Sequence, residues 1–172
     1  LIHLARLDRA PERDAEPIAV DELVHAVVID HHALDEHHPV DVADGALNVQ
    51  GDRVDLTQIV ANLLANVRSH TPDGTRTHIE SRRDADTVVI TVADDGPGVP
   101  ADHLPHVFDR FYRAQDPRHR SGKGSGLGLA IVAGLAEGMG GSAEAAASPS
   151  GGLAISVQLP ATDNGADEQE SP

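Results

Sequence analysis

Residues 56–74, LTQIVANLLANVRSHTPDG, decide how the rest of the chain is read. Leu56, Ile59, Val60, Leu63, Leu64 and Val67 recur at the spacing of one helical face, which predicts an amphipathic helix over about residues 51–70. Thr71-Pro72-Asp73-Gly74 then stops the helix and turns the chain. Asn62 and Asn66 stand four residues apart, so they project from the same face one turn apart, in a row that Gln58 and His70 extend. Asparagine has poor helix propensity, so two in register need a reason. A carboxamide oxygen suits a hard cation such as Mg²⁺, which keeps waters and bridges substrate phosphates. A solvated helix face is the plain alternative.

Upstream of this helix, LIHLARLD has apolar residues at helical spacing and begins in mid-pattern at Leu1. It is expected to be the tail of a helix that starts before this fragment, ended near Pro11. Asp21 is the expected N-cap of a second helix with Leu23, Val27 and Val28 on its buried side. A polar stretch rich in histidine follows. PVDVADG and ALNVQ then alternate like two short strands with a turn at Asp44-Gly45. Downstream, THIESRRD and TVVITVADD alternate as two strands across a turn near Asp84 to Asp86, and SAEAAAS and LAISVQLP flank a turn at Pro149-Ser150-Gly151-Gly152. Between these pairs, GSGLGLAIVAGLAEGMG reads as a helix opening from a glycine loop. Pro97 to Lys123 has little periodicity, as active-site lids commonly do. Alternating helices and strands give an α/β or α+β class with helices on one face of a sheet.

Composition narrows the function. The 172 residues carry 13 Lys and Arg against 28 Asp and Glu, a formal charge of −15. That field repels phosphate, which argues against a non-specific nucleic-acid or anionic-membrane binder. No cysteine is present, so disulfides, zinc thiolates and thiol catalysis are excluded. No apolar run approaches the ~18–20 residues that cross a bilayer. The two Phe and one Tyr lie together at Phe108, Phe111 and Tyr112, so the core must be built from Ala, Val, Leu and Ile. The same segment holds Arg110, Arg113, Arg118, Arg120 and the only lysine, Lys123, against Asp109 and Asp116. Residues 161–172 are small and acidic and are expected to form a disordered tail.

Three features carry chemistry. Gly124, Gly126 and Gly128 alternate at the mouth of an apolar helix, where backbone can approach a ligand closely and helical N–H groups point at an anion. A P-loop needs Gly-Lys-Ser/Thr, which is absent, and a dinucleotide fingerprint needs another spacing. A flexible linker is the alternative. Asp94-Asp95-Gly96-Pro97-Gly98 follows the apolar strand VVITV. There a carboxylate can accept from a base amino group while the backbone turns tightly, although Asp-Gly after a strand is usually only a turn. The paired asparagines are the third feature.

NLLANVRSHTP, DDGPGV, FDRFYRA and GSGLGLAIV occur in that order. Together they resemble the N box, first glycine box, F box and second glycine box of the ATP-binding domain of sensor histidine kinases. That domain belongs to the GHKL superfamily shared with gyrase, the Hsp90 chaperones and the MutL repair proteins. LIHLARLD is similar to the end of the dimerisation hairpin that precedes it. The resemblance covers about residues 1–160. It divides the chain into the hairpin end at 1–12, the kinase domain at 13–160 and the tail at 161–172. It implies a two-layer sandwich, the Bergerat fold, with a mixed and mostly antiparallel sheet packed on three helices and a mobile ATP lid.

The resemblance also assigns roles. Asn66 would be the principal Mg²⁺ ligand and Asn62 would support the metal or phosphates. Asp94 would bind the adenine amino group, with Gly96 and Gly98 shaping the pocket and His70 lining it. Phe108, Phe111 and Arg113 would stand at the front of the lid. Gly124, Gly126, Leu127 and Gly128 would embrace the phosphates. The family often has Lys or Arg three residues after the metal asparagine. This chain has Ser69 there, so Arg68 or Lys123 would take that contact, or affinity would be lower.

In hydrolysing relatives a Glu on this helix activates water, and Asn62 looks to occupy its place. An amide is a poor base, so slow hydrolysis and transfer to an imidazole are expected, by positioning and charge neutralisation. A GHKL ATPase and a non-catalytic nucleotide sensor are the alternatives. No phosphoacceptor motif occurs in the chain, so that histidine is expected upstream of Leu1. The implied partners are ATP, the protein's own dimerisation and phosphoacceptor domain in a homodimer, and a response regulator, without nucleic acid. The expected setting is a cytoplasmic domain of a membrane-anchored protein. His31, His32, His37 and His38 lack convergent carboxylate spacing and are expected to be solvent-exposed rather than metal ligands.

Overall fold

The computed structural model describes residues 15–43, 45–112 and 126–162. Among them run β1 (Glu16–Ala19), α1 (Val20–Leu34), β2 (Val40–Val42), β3 (Asn48–Gly51), α2 (Arg53–His70), β4 (Thr77–Asp84), β5 (Thr87–Asp94), α3 (Gly128–Gly138), β6 (Ser142–Ala147) and β7 (Leu153–Thr162). A 3-10 turn at Leu104–His106 lies between β5 and α3. The sheet order is β1-β3-β7-β5-β4-β2, with β6 beside β7. Every pairing is antiparallel except β2 with β4. β7 is central: one edge pairs with β5, and the other pairs with β6 from Leu153 to Gln158 and with β3 at Ala161 and Thr162.

The helices cover one face of this sheet. Ile79, Ile90 and Val157 from the strands join Leu56, Leu64 and Val132 from the helices in one buried cluster. Each such side chain contributes about 1.5–3 kcal/mol by leaving water. No aromatic residue is fully buried among the described residues. The two-layer α+β sandwich, the mixed sheet and the three helices match the expected class. Among the described residues no helix is long and apolar enough to cross a membrane.

The structure corrects several local expectations. β1 was not expected: its four residues, EPIA, are too short to show a period. It runs directly into α1, so Ala19 is the N-cap and Asp21 lies inside the first turn. There Asp21 complements the positive helix end, and its Oδ2 accepts from the Gly45 amide at 3.0 Å. The strands at β2 and β3 exist but do not pair with each other. β2 lies parallel to β4 at one edge, and β3 lies between β1 and β7 near the other. Alternation marks a strand and its faces but does not choose its partner. β7 continues to Thr162, two residues into the expected tail, because β3 supplies a ladder there.

The four histidines also divide. His32 and His37 are exposed, whereas His31 and His38 are 8% and 3% exposed. A carboxylate three or four residues away explains this: Asp35, itself buried, lies 2.7 Å from His38 Nδ1 and 4.0 Å from His31 Nε2. The segment 1–12, Asp44 and the tail beyond Thr162 lie outside the described residues.

Candidate functional site

α2 is fixed at both ends. Asp52 caps it, its Oδ1 accepting from the amides of Val54 at 2.7 Å and Asp55 at 3.3 Å. At the other end Thr71 turns to an extended backbone, and its amide and hydroxyl both donate to the Val67 carbonyl, at 2.9 and 2.8 Å. Leu56, Ile59, Val60, Leu63, Leu64 and Val67 form the buried face as expected. Asn62 and Asn66 sit half-buried beside it, and His70 is exposed. Among the described residues, Asn62 Nδ2 is shut off from solvent and has no hydrogen-bond partner. Leaving such a donor unmade costs about 1–3 kcal/mol.

Asp94 ends β5 and is 5% exposed. Its Oδ1 accepts from the Gly96 amide at 2.9 Å, and the Leu153 amide also bonds to it. Burial pushes its carboxyl up from the ordinary range, the two amides oppose that shift, and neighbouring Asp95 adds to it. The backbone crowds this carboxylate from two sides. A Cβ on Gly96 would lie 2.8 Å from Asp94 Oδ1 and 2.9 Å from the Thr71 methyl carbon. A Cβ on Gly152 would overlap Asp94 Oδ1 and the Asp94 carbonyl. Gly98, at φ +70°, would place a Cβ 2.7 Å from the Gly151 carbonyl oxygen. The end of α2, the loop after β5 and the β6–β7 turn therefore converge on one buried carboxylate.

α3 supplies the other half. It packs chiefly on α2. It starts at Gly128 with Leu127 as N-cap, no side-chain cap and no acidic residue in its first turn. Its first amides thus carry no side-chain cap among the described residues, and the helix dipole favours an anion there. Gly126 adopts φ +69° and is crowded by Phe111 and Tyr112, whose backbone atoms would lie 3.0 Å from a Cβ. Its carbonyl accepts from the Phe111 amide at 3.0 Å, and Phe111 is itself left-handed at φ +63°. The aromatic trio has three different settings. Phe108 packs on the edge of the core, Phe111 is 71% exposed, and Tyr112 hydrogen-bonds His103 Nδ1 and stacks on His106 at 5.7 Å.

Of the expected site residues, the structure gathers Asp94, Gly96 and Gly98 at one end of the sheet. Gly126, Leu127 and Gly128 form the entry to α3, and Asn62 and Asn66 lie on the helix that packs beside it. Arg113, Lys123 and Gly124 lie outside the described residues. Sequence reasoning missed Thr71, Gly152 and the Leu153 amide. Thr71 and the paired Gly151-Gly152 gave a signal, but each read only as part of a turn.

A mixed sheet under three helices, with a buried Asp at a strand end, a glycine cradle and an asparagine-bearing helix, defines a class: nucleotide-binding domains of the GHKL type. The chain belongs to the histidine kinase-, DNA gyrase B- and HSP90-like ATPase family, whose model matches residues 51–163, and within it to the ATP-binding domains of sensor histidine kinases. It is 44% identical over 115 residues to the signal transduction histidine-protein kinase BaeS of Escherichia coli, covering 67% of this chain and 25% of that one. It is 36% identical over 162 residues to the probable sensor histidine kinase TcrY of Mycobacterium tuberculosis, covering 93% and 34%. The chain thus spans a quarter to a third of the length of these two relatives. Among solved structures, the mycobacterial sensor histidine kinase MprB superposes with a TM-score of 0.74 at 28% identity, over 85% of this chain and 98% of that one. The ATP-binding domain of PrrB from Mycobacterium tuberculosis gives 0.72 at 26% identity, over 87% and 99%.

Proposed function

We propose that this chain binds ATP with Mg²⁺ and acts as the catalytic domain of a two-component sensor histidine kinase. It presents the γ-phosphoryl group to a histidine on a dimerisation hairpin upstream, which then passes it to an aspartate of a response regulator. The observation that carries this reading is the buried Asp94 carboxylate held by the Gly96 and Leu153 amides, with Gly96, Gly98 and Gly152 leaving no side chain against it.

Each residue has a defined task. Asp94 accepts from the exocyclic amino group of adenine, which selects adenine over a base bearing a carbonyl there. The amides at the start of α3, with Gly126 and Gly128 beside them, receive phosphate oxygens. The residues present suit the metal: the half-buried carboxamides of Asn62 and Asn66 are hard neutral oxygen donors, and Asn66 would hold the ion with Asn62 in support. When bound, Mg²⁺ neutralises phosphate charge and fixes the direction of the γ-phosphoryl group. Asn62 has no basic pair of electrons to activate water, so the chain keeps the phosphoryl group for the imidazole. Arg113, Lys123 and Gly124 complete the phosphate contacts in this reading, and the whole protein is anchored at the bacterial membrane with this domain in the cytoplasm.

The test is a phosphotransfer assay on a longer protein that includes the upstream histidine. Label appearing on that histidine from γ-labelled ATP, and lost in Asp94→Ala, is expected. Steady phosphate release without a labelled histidine would instead identify an ATPase.

A further inference from the structure

We propose that His31, Asp35 and His38 form an acid-sensitive brace that positions the turn between α2 and β4, and through it the floor of the nucleotide site. This rests on the nucleotide-binding reading above. The three side chains are 8%, 7% and 3% exposed, a depth at which ionisable groups need a partner. They converge on one carboxylate. Asp35 caps the C-terminal end of α1, with its amide donating to the His31 carbonyl at 3.0 Å. Its Oδ1 accepts from the His37 amide at 2.9 Å, and its Oδ2 meets His38 Nδ1 at 2.7 Å and His31 Nε2 at 4.0 Å.

The loop folded by Asp35 grips the site from behind. The His37 carbonyl accepts from the Gly74 amide at 2.8 Å, and the Pro39 carbonyl accepts from the Thr77 amide at 2.9 Å. Those two amides bracket the turn from Thr71, whose methyl group abuts Gly96, to Thr77, which faces Asp94 across the β4–β5 ladder. Arg76 between them makes two hydrogen bonds with Asp95, its amide donating to Oδ1 at 2.7 Å and its carbonyl accepting from the Asp95 amide at 3.1 Å. Asp35 is thus linked, through the His37–Gly74 and Arg76–Asp95 hydrogen bonds and the short chain between them, to the residue that follows Asp94.

The brace responds to acid because its charges are balanced within the fold. The groups facing His31 are Asp35 from the end of α1, His32 beside it, His38 from the following loop and Arg68 from α2. Burial holds the His31 imidazole below its ordinary value; Asp35 opposes that shift, and Arg68, His32 and His38 add to it. Among the described residues, His38 Nε2 is buried with no hydrogen-bond partner. Proton uptake by His31 adds a cation beside Arg68 and pulls Asp35 away from the His37 amide and His38. The 35–39 loop then loses the geometry that receives Gly74 and Thr77. Arg68 and Asn66, two positions apart, point to opposite sides of α2, since helical side chains advance about 100° per residue. The brace therefore acts from the side of α2 away from the asparagines.

The test compares the chain with His31→Phe, which fills the buried site without titrating, and with His31→Gln as a second variant should the first fail to fold. Two readouts are taken between about pH 7.5 and 5.5, where an ordinary histidine changes charge: ATP affinity by calorimetry, and hydrogen-exchange protection of the Gly74 and Thr77 amides without nucleotide. The expected result is an acid-side loss of Gly74 and Thr77 protection of about ten-fold in the parent, after correction for intrinsic exchange, with a parallel loss of affinity. Both losses should shrink to about two-fold in the folded variant. Equal pH profiles for parent and folded variant overturn the brace. If ATP binding is absent at every pH while the exchange profiles differ as expected, the nucleotide reading fails and the brace stands.

Discussion

Gly152, in the turn before β7, lies directly against the carboxylate of Asp94 at the end of β5; any β-carbon there would overlap both Asp94 Oδ1 and the Asp94 carbonyl oxygen. The Leu153 amide that follows donates to the same carboxylate. Asp94 is therefore held in place from the β6–β7 turn as much as from its own glycine loop.

Gly152→Ala is expected to displace Asp94 and lower ATP affinity by at least about ten-fold, the equivalent of 1.4 kcal/mol. The obstructing atoms are backbone and a packed carboxylate, so the strain has no flexible side chain to absorb it. Gly151→Ala is the control for affinity: nothing lies within 4 Å of its β-carbon, although its φ of +106° makes the turn itself strained. Calorimetry with the two variants separates the effects, and equal affinities would remove Gly152 from the site.

Asp94 also sets a pH dependence. Burial raises its folded pKa above the unfolded value, so the folded state binds the proton more readily. Keeping the carboxylate ionised thus costs stability at neutral pH, and that cost fades as the pH falls through the raised pKa. Adenine needs the ionised, accepting form. ATP affinity should therefore fall on acidification while the contribution of Asp94 to stability improves. A titration of affinity in His31→Phe isolates this effect from the brace, and an affinity independent of pH in that variant would contradict it.

The buried pair near α1 gives the opposite sign for stability. His31 has its folded pKa lowered by burial, so its contribution is present above about pH 6.5 and is lost as the pH falls below that value, where the unfolded chain takes the proton first. Burial works to raise the Asp35 carboxyl, but the His37 amide and His38 outweigh it, and the net shift is downward. Its contribution is present above about pH 4 and is lost as the pH falls further. Thermal unfolding should show a lower melting temperature at about pH 5.5 than at 7.5; His31→Phe should remove much of the difference, whereas Asp35→Ala, which takes away the one charge that raises the His31 value, should widen it.

The aromatic trio makes a further contrast. Phe108 is half-buried against the core, whereas Phe111 is 71% exposed in a left-handed backbone that disfavours its side chain. Phe108→Ala is expected to cost roughly 1–3 kcal/mol of stability. Phe111→Gly should leave stability unchanged or raise it by about 1 kcal/mol through relief of backbone strain. Chemical denaturation measures both. A larger loss at Phe111 than at Phe108 would reverse the assignment of which ring is structural.

These positions show what was legible in the sequence. The apolar face of α2, the β4–β5 pair and the glycine-opened α3 declared themselves because local periodicity and turn chemistry act over a few residues. Asn62, Asn66, Asp94, Gly96 and Gly98 stood out as chemistry-bearing types in ordered motifs. Gly152 and Thr71 did not, because their importance comes from closeness to Asp94 across the fold. β1 pairs with β3 and β2 with β4 for the same long-range reason, and no local pattern names those partners. His31 and His38 looked exposed because no carboxylate spacing converging on them was evident in the sequence. The carboxylate that permits their burial is recognisable only once α1 ends at Asp35.

The central claim is that α2 and the loop after β5 form one metal-dependent ATP site, and calorimetry of ATP with and without Mg²⁺ tests it most directly. The parent chain is expected to bind ATP more tightly with the metal, and Asn66→Ala to abolish that difference while keeping weaker, metal-independent binding through Asp94. An Asn66→Ala variant with the full Mg²⁺ enhancement, or a parent chain that binds no ATP at millimolar concentration, would contradict the account.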